Sequence, residues 1–250
     1  LFLVLFGEIL GLSQMHAMTL AFMITAVWWV VLTLPLLKNY RQVYYVKKEQ
    51  GIVRGSFQRL GKTLVGMKDE KAVFLFLLAF FCYIDGVYTI IDMATAYGSA
   101  LGLDSTGLLL ALLVTQFVAF PFSILFGRLA EKYDTGKLIL TCIAAYTGIT
   151  VFAVFMKAQW QFWVLAIFVG MFQGGIQALS RSYFAKIVPP ERSGEYFGLM
   201  DICGKGASFM GTTVVGLASQ AFGSINIGIS AIVFLFLAGA LFFMKTEHSG

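Results

Sequence analysis

Residues 174–216 read GGIQALSRSYFAKIVPPERSGEYFGLMDICGKGASFMGTTVVG, two apolar runs joined by a charged turn around Pro189 and Pro190. Proline cannot continue a helix and suits a loop or a first helical turn, so one run ends here and another begins. Arg181, Lys186, Glu191, Arg192 and Glu195 gather around the prolines and are assigned to that turn. Glycine recurs on both sides, at 170, 174, 175, 198, 204, 206, 211 and 216. That density is costly in a soluble helix. Between membrane helices small residues let backbones approach, and Gly170-x-x-x-Gly174 has the close-packing spacing. Two polar pairs go beyond packing: Gln173 and Gln177 lie one turn apart in the first run, Asp201 and Lys205 one turn apart in the second.

Working outward, the whole chain shares this character. It is 59% hydrophobic and 12% charged over 250 residues, whereas soluble domains average about 25% charged. Such a chain cannot present a polar exterior to water, so it is expected to be an integral membrane protein. The net charge of +5 is no nucleic-acid signature, because the basic residues sit between apolar runs. Cys82, Cys142 and Cys203 are widely spaced inside apolar runs, which excludes a disulfide framework or a zinc motif. His16 and His248 stand at run ends without ligand partners; neither a metal nor a cofactor is expected. Residue 1 is Leu, inside an apolar run with no basic stretch before it. It reads as a cut end and not a signal peptide, and the chain as a piece of a longer protein.

A helix needs about 20 apolar residues to cross the hydrocarbon core. Full spans fall at Ala17–Leu37, Ala72–Tyr97, Thr106–Phe126, Leu138–Met156, Phe162–Leu179, Tyr196–Ala221 and Ile225–Met244, and Leu1–Leu12 looks like the tail of another. Lysine and arginine set the orientation. With loop 38–71 in the cytoplasm, 16 of the 18 basic residues fall inside, Lys157 falls outside, and Lys205 lies within a span. The six helices from residue 72 onward then begin and end inside. Within the loop, Phe57, Leu60, Leu64 and Val65 share a helical face away from Arg54, Arg59, Lys62 and Lys68. That suits a helix lying on an anionic membrane surface; a solvated linker is the other reading.

Six helices after a long basic loop, with helices also before it, fit a two-bundle transporter. The stretches GGIQALSRSYFAKIVPP and EYFGLMDICGKGASFMG resemble the vacuole-effluxer (autophagy-related amino-acid effluxer) branch of the major facilitator superfamily. The resemblance implies an all-α membrane fold. Residues 1–37 would be the last one or two helices of the N-terminal half, 38–71 the central cytoplasmic loop, and 72–250 the C-terminal six-helix bundle. The loop GRLAEKYDTGK, with Gly127, Glu131, Lys132, Gly136 and Lys137, is similar in kind to the superfamily's short cytoplasmic motif. Its Gly and Lys come later than in the family pattern, and Glu131 replaces the usual aspartate.

Asp85, Tyr88 and Asp92 share one face of the first helix of this half. Asp85 lies roughly 20 Å from the start of its span, where a lipid-facing carboxylate would cost at least ~2.5 kcal/mol. The face must meet protein or a water-filled cavity. Asp92 is nearer the outer boundary, where solvation alone could keep it. Desolvation disfavours a charged carboxylate, so Asp85 is the candidate for proton coupling, and it could equally bind a solute ammonium group. Gln173 and Gln177 offer donors and acceptors to a zwitterion; hydrogen bonding between helices is the plainer role. The resemblance implies that both helices line the central cavity. Asp201 and Lys205 are spaced to pair with each other, as a structural pair or as a gate.

The function expected is secondary transport of small polar solutes by alternating access, with a proton as a possible partner. The resemblance points to amino acids, exported across a bacterial inner membrane or a vacuolar one. The implied partners are the solute, the lipid bilayer and the missing N-terminal half; nucleic acid is not among them. No phosphate-binding loop is present to drive an ATP motor. An intramembrane aspartyl protease needs two carboxylates sharing a proton, but Asp85 and Asp92 lie about 10 Å apart along one helix, and no nucleophile–histidine constellation exists. The chain is therefore read as a non-enzyme. A non-transporting receptor or scaffold of the same fold is the alternative, and it would tolerate loss of Asp85.

Overall fold

A computed structural model describes residues 2–41 and 70–247, with single positions 55, 60, 61, 63, 64 and 66 between them. The chain divides into two units, 1–50 and 51–250.

In the first unit a short helix α1 (Phe2–Phe6) and a 3-10 turn lead into α2 (Gln14–Asn39). Ser13 caps α2 by accepting the His16 N–H at 3.4 Å, a role that suits serine. Gly7 closes the hairpin: a Cβ there would lie 2.7 Å from that of Ala17, the buried residue of α2. The rest of α2 turns large apolar side chains outward, with Trp28 64% and Trp29 70% exposed. Its 26 residues reach about 39 Å, enough to cross a bilayer.

The second unit holds α3 (Lys71–Ala100), α4 (Ser105–Lys132), α5 (Thr135–Val154), α6 (Gln159–Ile187), α7 (Ser193–Phe222) and α8 (Ile225–Glu247). These are the six helices expected after residue 72, and no strand occurs among the described residues. Six helices, α2 to α6 and α8, are long and apolar enough to cross a membrane. At 30 residues α7 is as long as α3 but less apolar, carrying Glu195, Asp201 and Lys205.

Helix α3 is the hub, packing on α8, α7 and α6, while α4 packs on α6, and α5 on both α6 and α8. Near its start Phe76 gathers Tyr183 and Phe184 of α6 and Phe243 of α8, with ring centroids 5.2 to 6.1 Å away. Aromatic rings favour such separations. The α4–α6 contact is set by glycine. A Cβ on Gly170 would stand 2.7 Å from the Thr115 carbonyl oxygen, and one on Gly174 would coincide with the Ser123 hydroxyl. This is the close approach that the Gly170–Gly174 spacing predicts.

Two connections are shorter than expected. Helix α6 continues past Leu179 to Ile187, so Arg181 and Lys186 are helical residues and not part of the turn. The helix stops where Pro189 stops it: Val188 is extended, at φ −91° and ψ 136°, as the residue before a proline prefers. A 3-10 turn over Pro190–Arg192 then leads into α7. Likewise the expected loop 127–137 is almost wholly helix. Gly127, Glu131 and Lys132 lie in the last turns of α4, and Gly136 and Lys137 in the first turn of α5. Asp134 caps α5 by accepting the Lys137 N–H at 3.0 Å, and Gly136 is buried with the Glu247 carboxylate where its Cβ would be.

Of the amphipathic face expected before α3, Phe57, Val65, Arg54, Arg59, Lys62 and Lys68 lie outside the described residues. Leu60 packs on the bundle core, Leu64 is exposed, and Thr63 is buried. The Thr63 hydroxyl donates to Glu195 at 2.8 Å and accepts from Arg192 at 3.0 Å. The Tyr196 hydroxyl donates to Glu70 at 2.8 Å. These bonds fasten the approach to α3 onto the start of α7.

Candidate functional site

The carboxylate face of α3 meets α7. Asp85 is 1% exposed. Its Oδ1 accepts the backbone N–H of Gly211 at 2.8 Å and the Thr89 hydroxyl at 3.3 Å. Only glycine fits at 211, because a Cβ there would overlap the Asp85 carboxylate and the Thr89 oxygen. Hydrogen bonding to a main-chain donor is what allows a carboxylate to stay buried. Two turns further on, Asp92 is exposed and its Oδ2 accepts from the Ser208 hydroxyl of α7 at 2.8 Å. Between them Tyr88 is partly buried, its ring 3.8 Å from a Cβ placed on Gly204.

Sequence reasoning paired this face with the glutamines of α6. No hydrogen bond joins Gln173 or Gln177 to Asp85, Tyr88 or Asp92 among the described residues. Both glutamines are partly buried, and the Gln173 side-chain oxygen is buried without a partner among the described residues. Helices α3 and α6 do meet, through the Tyr83 hydroxyl and Ser180 Oγ, 2.7 Å apart.

The expected Asp201–Lys205 pair is replaced by another. Asp201 Oδ1 accepts from Arg181 Nη2 of α6 at 2.9 Å. The reason is the extra length of α6, which carries Arg181 up to face α7 from within the helix. Arg181 thus completes a stripe on α6 with Gln173 and Gln177, at successive fourth positions. Asp201, Lys205 and Ser208 form a matching stripe on α7. Sequence reasoning missed Arg181 and Ser208. The spacing was visible for both; Arg181 was set aside because apolarity ends at Leu179.

Three polar stripes, on α3, α6 and α7, are therefore cross-linked by Asp92–Ser208 and Arg181–Asp201. Separately, an apolar recess between α3, α5, α6 and α8 is lined by Ile90, Met93, Ile149, Phe162, Leu165 and Ile229, among others. No group of three or more His, Cys, Asp or Glu side chains able to hold a metal occurs among the described residues, and Cys82, Cys142 and Cys203 are free thiols.

A bundle of membrane-length helices, with no strand among the described residues, defines an all-α integral membrane protein. The chain belongs to the family described as vacuole effluxer Atg22 like, which it matches over residues 3–249. Among its relatives is an uncharacterized MFS-type transporter, YxiO, of Bacillus subtilis, 46% identical over 97% of this chain and 57% of that protein. Autophagy-related protein 22-2 of Aspergillus clavatus is 25% identical over 90% of this chain and 41% of its own length. Autophagy-related protein 22 of Cryptococcus neoformans is 26% identical over 88% and 44%. The chain spans about half the length of these relatives.

Proposed function

We propose that this chain forms part of a secondary transporter of the major facilitator type, which moves small polar solutes, amino acids foremost, by alternating access. The observation that carries the reading is the set of cross-linked polar stripes on α3, α6 and α7. Both signs of charge occur there, in Asp92, Asp201, Arg181 and Lys205, as a zwitterion requires. Charges within membrane helices are expensive, and they mark solute and ion pathways. Asp85 is the residue through which a proton would be coupled, and the solute's ammonium group is the other use of the same carboxylate. Its bond to the α7 backbone supports coupling, since a change in its charge alters the α3–α7 contact directly. The likeness to a bacterial transporter supports a bacterial cell membrane as the location, and the remaining helices of the transporter would complete the pathway.

The test is uptake and efflux of a labelled amino-acid panel in vesicles carrying the full-length protein. Saturable movement of at least one amino acid above empty vesicles is expected. Faithful insertion with no movement of any panel member, in either direction and with or without a pH gradient, would leave a receptor or scaffold as the function.

A further inference from the structure

Arg181 is exposed and joins α6 to α7 through one bond. It ends the α6 stripe of Gln173, Gln177 and Arg181, whose members are spaced about 6 Å apart along the helix. A guanidinium has five donors in a planar fork that matches a carboxylate with two parallel bonds. Here a single nitrogen, Nη2, bonds a single oxygen of Asp201, so the fork is not used as a fork. The pair is open, with the two side chains 57% and 52% exposed. Open ion pairs are weakly held, and a second carboxylate can compete for the guanidinium. Both partners belong to neighbouring helices of one bundle, so the bond restrains α6 against α7 only. About 10 Å further along α7, Ser208 holds a second exposed carboxylate, Asp92.

We infer that Arg181 binds the carboxylate of the transported solute, displacing Asp201, which serves as its counter-ion when the site is empty. This assignment rests on the amino-acid reading above. It predicts a solute with a free carboxylate, and rejection of analogues in which that carboxylate has become an amide or has been lost.

The experiment uses the full-length protein in vesicles and a transported amino acid, competed by its unlabelled parent, its amide and its decarboxylated amine. In the wild type the parent should compete and the two analogues should be weaker by about 10- to 100-fold, the factor for one charge-assisted bond. Arg181→Gln should raise KM for the amino acid by a similar factor and abolish the preference over the amide, while Arg181→Lys should retain part of both. Asp201→Asn frees the guanidinium and should lower KM several-fold for the amino acid without changing competition by the amide. A preference unchanged in Arg181→Gln would overturn the assignment. Should that variant fail to reach the membrane, Asp201→Asn decides, and an unchanged or raised KM there overturns it equally. If the wild type moves amino acids but either result fails, only the role of Arg181 falls. If the wild type moves none, the transport reading falls and the assignment with it.

Discussion

Gly211→Ala tests the contact on which the site is built. The added methyl would overlap the Asp85 carboxylate and the Thr89 hydroxyl, both on α3. Neither can retreat freely, because Asp85 is buried and holds the Gly211 N–H at 2.8 Å. Overpacking of this kind costs about 1–3 kcal/mol. If the helices separate to relieve it, the hydrogen bond is lost as well. Such bonds average about 0.6 kcal/mol inside membranes, with about 1.7 at most, no more than their worth in water-soluble proteins, since an unpacked membrane helix finds other partners. The sum is about 2–4 kcal/mol. For a domain of this size it lowers the melting temperature by roughly 5–15 °C. The assay is thermal unfolding of detergent-solubilised protein, followed by the loss of its monodisperse size-exclusion peak. Gly216→Ala is the control, being on the same helix with open space around it; it should be neutral or mildly stabilising, because alanine is the better helix former. In an Asp85→Ala, Thr89→Ala background most of the Gly211→Ala cost should vanish. A Gly211→Ala variant as stable as the control, or a cost unchanged in that background, would refute the placement of Asp85 against α7.

Asp85→Asn keeps the size and an acceptor for the Gly211 N–H but removes the titratable proton. Transport driven by a pH gradient should be abolished while solute exchange survives; joint loss assigns Asp85 to the ammonium group, and unchanged gradient-driven transport excludes both roles. Thr63→Val removes the hydroxyl bonded to Glu195 and Arg192, which should cost about 1–2 kcal/mol. Tryptic cleavage of the 38–71 segment should then quicken by roughly tenfold, and an unchanged rate would show that these bonds do not fasten it. Single cysteines near Ser105 and Asn226 should react with an impermeant thiol reagent from outside, and those near Tyr133 and Glu191 from inside. Labelling of position 191 from outside would reverse the assigned orientation.

The number and order of helices were legible because hydropathy reports which solvent a segment prefers, and the bundle has little else to signal. Helix ends were not, because lipid does not decide them. Apolarity stops at Phe126 and Leu179, yet α4 and α6 run on to Lys132 and Ile187. What ends a helix is the loss of the next backbone bond or the gain of a cap. Both signals stood in the sequence: Pro189 acting on Val188, and Asp134 three residues before the N–H it accepts. Extending each span to its nearest proline or capping aspartate gives helices close to those observed, with Arg181 inside one of them.

The site was legible residue by residue and illegible as a set. Depth and periodicity placed Asp85, Tyr88 and Asp92 on one face of their own helix, but neither says which helix that face meets. The α7 neighbour was signalled only by Gly211, one glycine among many. The Asp201 partner shows why local spacing misleads here. A pair at i, i+4 on one helix is worth a few tenths of a kcal/mol, so it forms by default only where nothing else competes. Arg181, 20 residues away in sequence, competes from the adjoining helix at 2.9 Å. In a bundle of long helices a charge is therefore matched first against the charges that other helices bring within reach, and only then against one a turn away.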